Sequence, residues 1–236
     1  MNNYPQTADI FVEQLSAHAS PDEAEKRQRH FSGDDETNQF LGVRMGTIFQ
    51  LAKKYTDMSL DEIEQLLESP YYEVRMGGVS IMDYQARKKK LPDGQRKALF
   101  DLYIRRHDRL NNWDFPDRAA PHVVGRFLID KPRDVLYELA QSNNIWERRT
   151  AIVSTAYFLR QGEVEDTFEI AKILIDDEHE LTQKAIGSWL REAGKVDETR
   201  LRRFLDKHGS IMSRVALRLA VAKLDESSKK HYLAKT

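Results

Sequence analysis

The sequence predicts an all-α chain of stacked helix hairpins, and three observations carry that prediction. Helix-start signals recur along the 236 residues, no run of alternating β-branched residues suggests a strand, and one ten-residue pattern returns five times at similar spacing. Composition agrees: 40% hydrophobic and 32% charged residues are enough for a core beneath amphipathic helices.

The helix starts come first. A Ser, Asn or Asp followed three residues later by Glu satisfies two orphan amides at a helix N-terminus. Ser20 with Glu23, Ser59 with Glu62, Asn144 with Glu147 and Asp177 with Glu180 are such pairs. Pro21, Pro70 and Pro132 are expected in first turns, and "LPDG" at 91–94 marks a break. "LDEIEQLLES", "KALFDLYIRR" and "TFEIAKILID" are amphipathic and read as outer helices.

The inner helices are the repeats. "EVRMGGVSIM" (73–82), "FPDRAAPHVV" (115–124), "WERRTAIVST" (146–155), "LTQKAIGSWL" (181–190) and "IMSRVALRLA" (211–220) share a small residue, Gly77, Ala119, Ala151, Ala185 and Ala216, at steps of 42, 32, 34 and 31 residues. Those steps fit HEAT- or armadillo-type hairpins, in which small residues let stacked helices approach, and predict a superhelical solenoid with a concave groove. Two positions before each small residue stand Arg75, Asp117, Arg149, Gln183 and Arg214, a candidate polar ladder along the inner helices. Trp113, Trp146 and Trp189 lie in or beside the same windows. The expected organisation is one repeat domain over 1–236, with an N-terminal helical segment at 1–40, repeats at 41–224 and a tail at 225–236.

Several chemistries are absent from the pattern. No cysteine is available for disulfides, thiolate metal sites or Cys–His catalysis. His107, His122, His179 and His208 show no metal-ligand spacing, and neither a glycine-rich phosphate loop nor GxSxG occurs. The reading calls for no cofactor and no metal. "MNNYPQTADIFVEQL" has neither a basic region followed by an apolar run nor a membrane-length apolar stretch, so a cytoplasmic protein with no membrane partner is expected. Net charge is −1, but it is unevenly spread: 57–73 holds six acids and no base, whereas 87–109 holds nine Lys or Arg against three Asp. Such a chain can carry one basic face.

The unusual stretch is "NNWDFPDRAAPHVVG" (111–125). Asp117 would sit in a helix first turn beside Pro116, where the helix dipole favours negative charge. Trp113 could present a ring face beside that carboxylate, a combination suited to a cation. Arg149 could pin the carboxylate or hold a phosphate. Read from the residues alone, Asp117 and Arg149 could equally bond one another as a structural ladder, Trp113 and Trp146 could simply pack, and Asp114 is expected to be a helix cap.

"FLGVRMGTIFQLAKKY", "YYEVRMGGVSIMD", "NNWDFPDRAAPHVVG", "NNIWERRTAIVS" and "QKAIGSWLREAGK" together resemble the AlkD-like family of DNA alkylation repair glycosylases, in the family's order from about residue 40 to about 220. The resemblance implies a HEAT-like superhelix whose groove holds duplex DNA, and excision of N3- or N7-alkylated purines in base excision repair. Trp113 matches the tryptophan of the family's W-x-x-x-D motif, Asp117 its catalytic aspartate, and Arg149 the second arginine of W-x-R-R. It also implies a lesion that stays stacked, unlike the flipped bases of most glycosylases. Two positions depart. After "KAIG" the family places a second groove tryptophan, where this chain has Ser188 and then Trp189, turned by about 100°. Near the N-terminus an aromatic pair followed by Lys-Thr is replaced by His30 and Phe31, then Ser32 and Gly33.

Ser188, Trp189 and His30 are therefore the expected lesion-proximal residues. Arg75, Arg148, Lys184, Arg191, Arg214 and Arg218 are the expected phosphate contacts. The partner is duplex DNA with alkylated bases, bound by a monomer associated with the nucleoid through that DNA. The alternatives are a catalytically silent DNA-binding paralogue, motivated by Ser188 and the altered N-terminal segment, and a protein-interaction scaffold, a common role of helical solenoids.

Overall fold

The computed structural model describes residues 5–31 and 38–234, with the His30 side chain outside the description. The chain divides into two compact units, Met1–Phe127 and Leu128–Thr236.

In the first unit, α1 (Ala8–Ser16), α2 (Pro21–His30), α3 (Met45–Ala52) and α4 (Leu60–Glu68) precede α5 (Tyr72–Ala86), followed by α6 (Asp93–Arg105) and α7 (Asp114–Ala120), and the one-turn α8 (Arg126–Leu128) runs over the boundary between the units. α5 is buried on nearly every side, so it forms the unit's centre, with α3, α4 and α7 packed on it. Gly77 makes this possible: a Cβ there would lie 2.4 Å from the Phe11 ring of α1. The acidic and basic runs meet across this unit. Glu64 pairs with Arg105 at 2.6 Å and Arg106 at 3.1 Å, Glu68 with Arg106 at 2.6 Å, and Asp57 with Lys88 at 2.8 Å. The unevenness of charge in sequence is thus partly neutralised in space.

The second unit holds α9 (Asp134–Ala140), α10 (Ile145–Ser154), α11 (Ala156–Arg160), α12 (Glu165–Ile173), α13 (Glu180–Val196), α14 (Glu198–His208), α15 (Arg214–Ala220) and α16 (Glu226–Leu233). α13 packs most extensively on α15. A Cβ on Gly187 would come within 2.3 Å of the Ala216 carbonyl oxygen, so only glycine allows that approach. Arg133 joins α9 to α12, pairing with Asp166 at 2.5 Å and lying 3.9 Å from the Phe158 ring centroid.

The repeat residues behave as expected: Gly77, Ala119, Ala151, Ala185 and Ala216 are all buried in helices. The three amphipathic segments coincide with α4, α6 and α12. Among the described residues the only strand-like pairing is a single bridge from Gln39 to Tyr71, and no helix is long and apolar enough to cross a membrane.

Several helix starts differ from expectation. Ser20 and Ser59 cap α2 and α4 as expected, accepting from the Glu23 and Glu62 amides. Asn144 caps α10 but accepts from the Trp146 amide, one residue earlier than Glu147. Asp177 does not cap α13: His179 does, through Nδ1 to the Leu181 amide, while Asp177 faces Arg148. Pro70 and Pro132 lie outside their helices, because α5 begins at Tyr72 and α9 at Asp134. Each disfavours the helical region for the residue before it, as the extended ψ of 139° at Ser69 shows for Pro70, so it marks the approach to the helix.

Candidate functional site

The helices that carry the repeat begin in register. The fourth residue of α5 is Arg75, of α7 Asp117, of α10 Arg148 and of α13 Gln183. At three of these starts the side chain folds back and donates to carbonyls of the loop leading into its own helix. Arg75 reaches Ser69 O at 2.8 Å and Pro70 O at 3.1 Å, Arg148 reaches Ser142 O at 2.9 Å and Asn143 O at 3.1 Å, and Gln183 reaches Ile175 O at 3.0 Å and Asp177 O at 2.7 Å. Each ties the loop's carbonyls to the helix that follows it.

This register corrects the ladder. Arg148, not Arg149, holds the fourth position of α10, and the Ala151 used to align that repeat is one residue late, since buried Thr150 stands at the sixth. Arg149 is buried and donates to Leu181 O at 2.6 Å, at the start of α13. Arg214 is the first residue of α15, exposed, and donates to Leu233 O at 3.1 Å. The ladder continues instead through Ser213, the cap of α15, whose hydroxyl donates to Gln183 Oε1 at 2.8 Å.

Asp117 is the exception in the series. A carboxylate has no N–H to offer a carbonyl, and Asp117 is exposed. Trp113, directly before α7, is also exposed, at 39%. The two are joined through the backbone, Asp117 N donating to Trp113 O at 3.3 Å. The opposite side of α7 is firmly fixed. Phe115, Pro116, Ala119 and Ala120 are buried, and the Arg118 guanidinium lies between the Phe49 and Tyr84 rings, 4.4 and 4.7 Å from their centroids. Arg118 also pairs at 3.1 Å with fully buried Asp83, which in turn meets Arg87 at 2.9 Å and His122 at 3.0 Å. Beyond α7 the backbone widens into a π turn at Pro121–Gly125, a distortion that often accompanies functional sites.

Asp114, expected to cap α7, is instead its first residue. One carboxylate oxygen accepts from the Tyr72 hydroxyl of α5 and the other from Asn112 Nδ2 at 2.9 Å. Burial pushes its pKa up to about 6, against the Tyr72 hydrogen bond and the Arg27 charge, which favour the ionised form. Burial and the neighbouring carboxylate push the Tyr72 hydroxyl well above its ordinary range. Asp114 and Trp113 line a recess of about 280 Å³ with Lys26, Arg27, Phe31 and Tyr72. The sequence signal for Asp114 was only its place three residues before Asp117.

Of the expected phosphate contacts, Arg75 is buried and held by Ser69, Pro70, Asn38 and Asn111, with its guanidinium 5.7 Å from the Phe115 ring centroid. Arg148 is paired with Asp177 at 2.5 Å. Both act within the fold. Lys184 pairs with Glu180 and Arg191 with Glu192, while Arg214 and Arg218 are exposed. Trp146 is buried and meets the edge of His179. Ser188 and Trp189 are half-buried and line a recess of about 480 Å³ with Ala156, Leu159, Arg160 and Arg191. His30 ends α2, its side chain outside the description, as are Ser32 and Gly33. Trp113 and Asp117 belong to the first unit, and Arg149, Ser188 and Trp189 to the second. Among the described residues no cluster of His, Asp or Glu could hold a metal ion.

No curated protein matches the chain in sequence. A solved structure described as a predicted DNA alkylation repair enzyme from Enterococcus faecalis is similar in fold, with a TM-score of 0.67 and 15% sequence identity over 89% of this chain and 98% of that one. A family model described as DNA alkylation repair enzyme matches residues 11–224, which takes in the exposed Trp113 and Asp117 as well as every helix that carries the repeat. The chain belongs to the DNA alkylation repair enzyme family.

Proposed function

We propose that this protein is a monofunctional DNA glycosylase that hydrolyses the N-glycosidic bond of N3- or N7-alkylated purines in duplex DNA. The observation that carries the reading is Asp117: the one acidic residue in the fourth-position series, exposed beside exposed Trp113 on a helix otherwise fixed by buried contacts.

The chemistry follows from the substrate. An alkylated purine of this kind is already cationic, so the bond from C1′ to the base nitrogen can break with its electron pair moving to the base and no proton supplied. The sugar then carries the positive charge. Asp117 is suited to stabilise that charge, and its carboxylate can take the proton of the water that adds to C1′. The indole of Trp113 offers a π face to the same cationic sugar. Duplex containing 7-methylguanine should release free base, and Asp117→Asn should lower that release about a hundredfold or more with the fold intact.

Phosphate contacts would come from Lys184, Arg191, Arg214 and Arg218, and their contribution would weaken with salt. The family match crosses both units, which supports reading them as one repeat domain. A DNA-associated cytoplasmic monomer goes with that reading. A second reading, a silent DNA-binding paralogue, is favoured by Ser188 in place of the family's second tryptophan. It predicts salt-sensitive duplex binding with no base released.

A further inference from the structure

Asp114 has no part in the chemistry above, yet it stands where the fold replaces a missing contact. At α5, α10 and α13 the fourth residue holds the preceding loop through N–H donors. At α7 that residue is Asp117, which has no such donor. The loop into α7 is held from α5 instead. Arg75 donates to Asn111 Oδ1 at 3.1 Å, and the Tyr72 hydroxyl donates to Asp114. Asp114 then closes the turn by accepting from Asn112 Nδ2 at 2.9 Å. Trp113 lies between Asn112 and Asp114, so both of its neighbours are tied while its indole stays exposed.

We propose that Asp114 is a positioning residue for base excision: clamped by Tyr72 and Asn112, it fixes the turn that presents Trp113 and Asp117 to the substrate. The proposal rests on the glycosylase reading of those two residues. Asp114 releases Asp117 from the structural task its counterparts perform.

The clamp also depends on charge. An ionised Asp114 accepts from both partners; a protonated one must donate from one oxygen, and either Tyr72 or Asn112 loses its acceptor. The surrounding groups divide by element. α2 brings Glu23, Lys26 and Arg27 to the recess, with Arg27 also 3.4 Å from Glu73; α5 brings Tyr72 and Glu73; α7 itself adds Asp117. Burial raises the Asp114 pKa to about 6, so the exchange falls within an accessible range.

Two measurements on the full chain test this. The Trp113 indole N–H resonance, assigned by its loss in Trp113→Phe, is followed by NMR from pH 5 to 8. It should titrate with a midpoint near 6, lose that titration in Asp114→Asn, and move or broaden at every pH in Asp114→Ala. Base release from 7-methylguanine duplex is measured in parallel. Asp114→Ala and Tyr72→Phe should lower kcat about tenfold with KM within about threefold, a loss specific to the transition state. Asp114→Asn, which can still accept from Tyr72, should restore most of that kcat at pH 8. A Trp113 resonance indifferent to pH and to both Asp114 variants would overturn the proposal, as would full activity in a folded Asp114→Ala. If the resonance responds as expected but the wild type releases no base, the turn is positioned by Asp114 and it is the glycosylase reading that fails.

Discussion

The start of α7 and the starts of α5, α10 and α13 make the instructive comparison. All four present a polar side chain at the fourth helical position, yet three of them close the preceding loop and one faces outward. Arg75, Arg148 and Gln183 can donate to backbone carbonyls; Asp117 can only accept. One change of hydrogen-bonding character therefore turns a structural position into a candidate catalytic one. Its cost is a loop that must be held another way, through Tyr72, Asn112 and Asp114.

The comparison can be broken most forcefully at the donors. Arg75→Ala removes a guanidinium that donates to two loop carbonyls and two asparagine side chains at once. It should lower the unfolding free energy by about 3 kcal/mol in urea denaturation. Arg148→Ala, which leaves the Asp177 carboxylate without its ion-pair partner and with only the His179 amide, should cost about as much. A loss below about 1 kcal/mol for both would contradict the closing role.

A smaller effect belongs to Asp114. Its pKa in the fold, about 6, lies above the unfolded value of about 4. The stability this contributes is fully present below pH 4 and is lost as pH rises to 6. Partial exposure reduces the effect to about 1–2 kcal/mol. Thermal melts across this range should show the wild type losing stability relative to Asp114→Asn as pH increases; a constant difference would show that Asp114 does not titrate there.

The smallest stability effect should come from Asp117→Ala, within about 0.5 kcal/mol of the wild type in the same denaturation experiment, because the replaced side chain is exposed. Asp117→Arg sharpens the point further. A donor at this position could reach back to the loop as Arg75 does, so the melting temperature should be preserved while base release is abolished.

The helices and their close approaches were legible because periodicity and side-chain bulk are visible in the residues themselves. Gly77, Ala119, Ala151, Ala185 and Ala216 could be picked out as small residues, and each is buried. What escaped depends on partners that sequence does not display. The acceptors of Arg75 and Arg148 include backbone carbonyls, so these arginines resembled phosphate contacts. Tyr72 lies 42 residues before Asp114, and nothing near Asp114 announced it. Arg149 and Ala151 fit the spacing of small residues in sequence, yet Arg148 and Thr150 hold the equivalent helical positions, and one residue turns a helix by about 100°. Trp113 and Asp117 stood out because an aromatic and an acid flank Pro116 at a helix start, although the residues alone fit packing and a structural ladder equally well.

The most direct measurement is release of 7-methylguanine from duplex DNA by wild type and Asp117→Asn at equal, saturating protein, with melting temperatures matched. The account predicts free base with the wild type and a loss of about a hundredfold or more with Asp117→Asn. Equal release by the two proteins would contradict it.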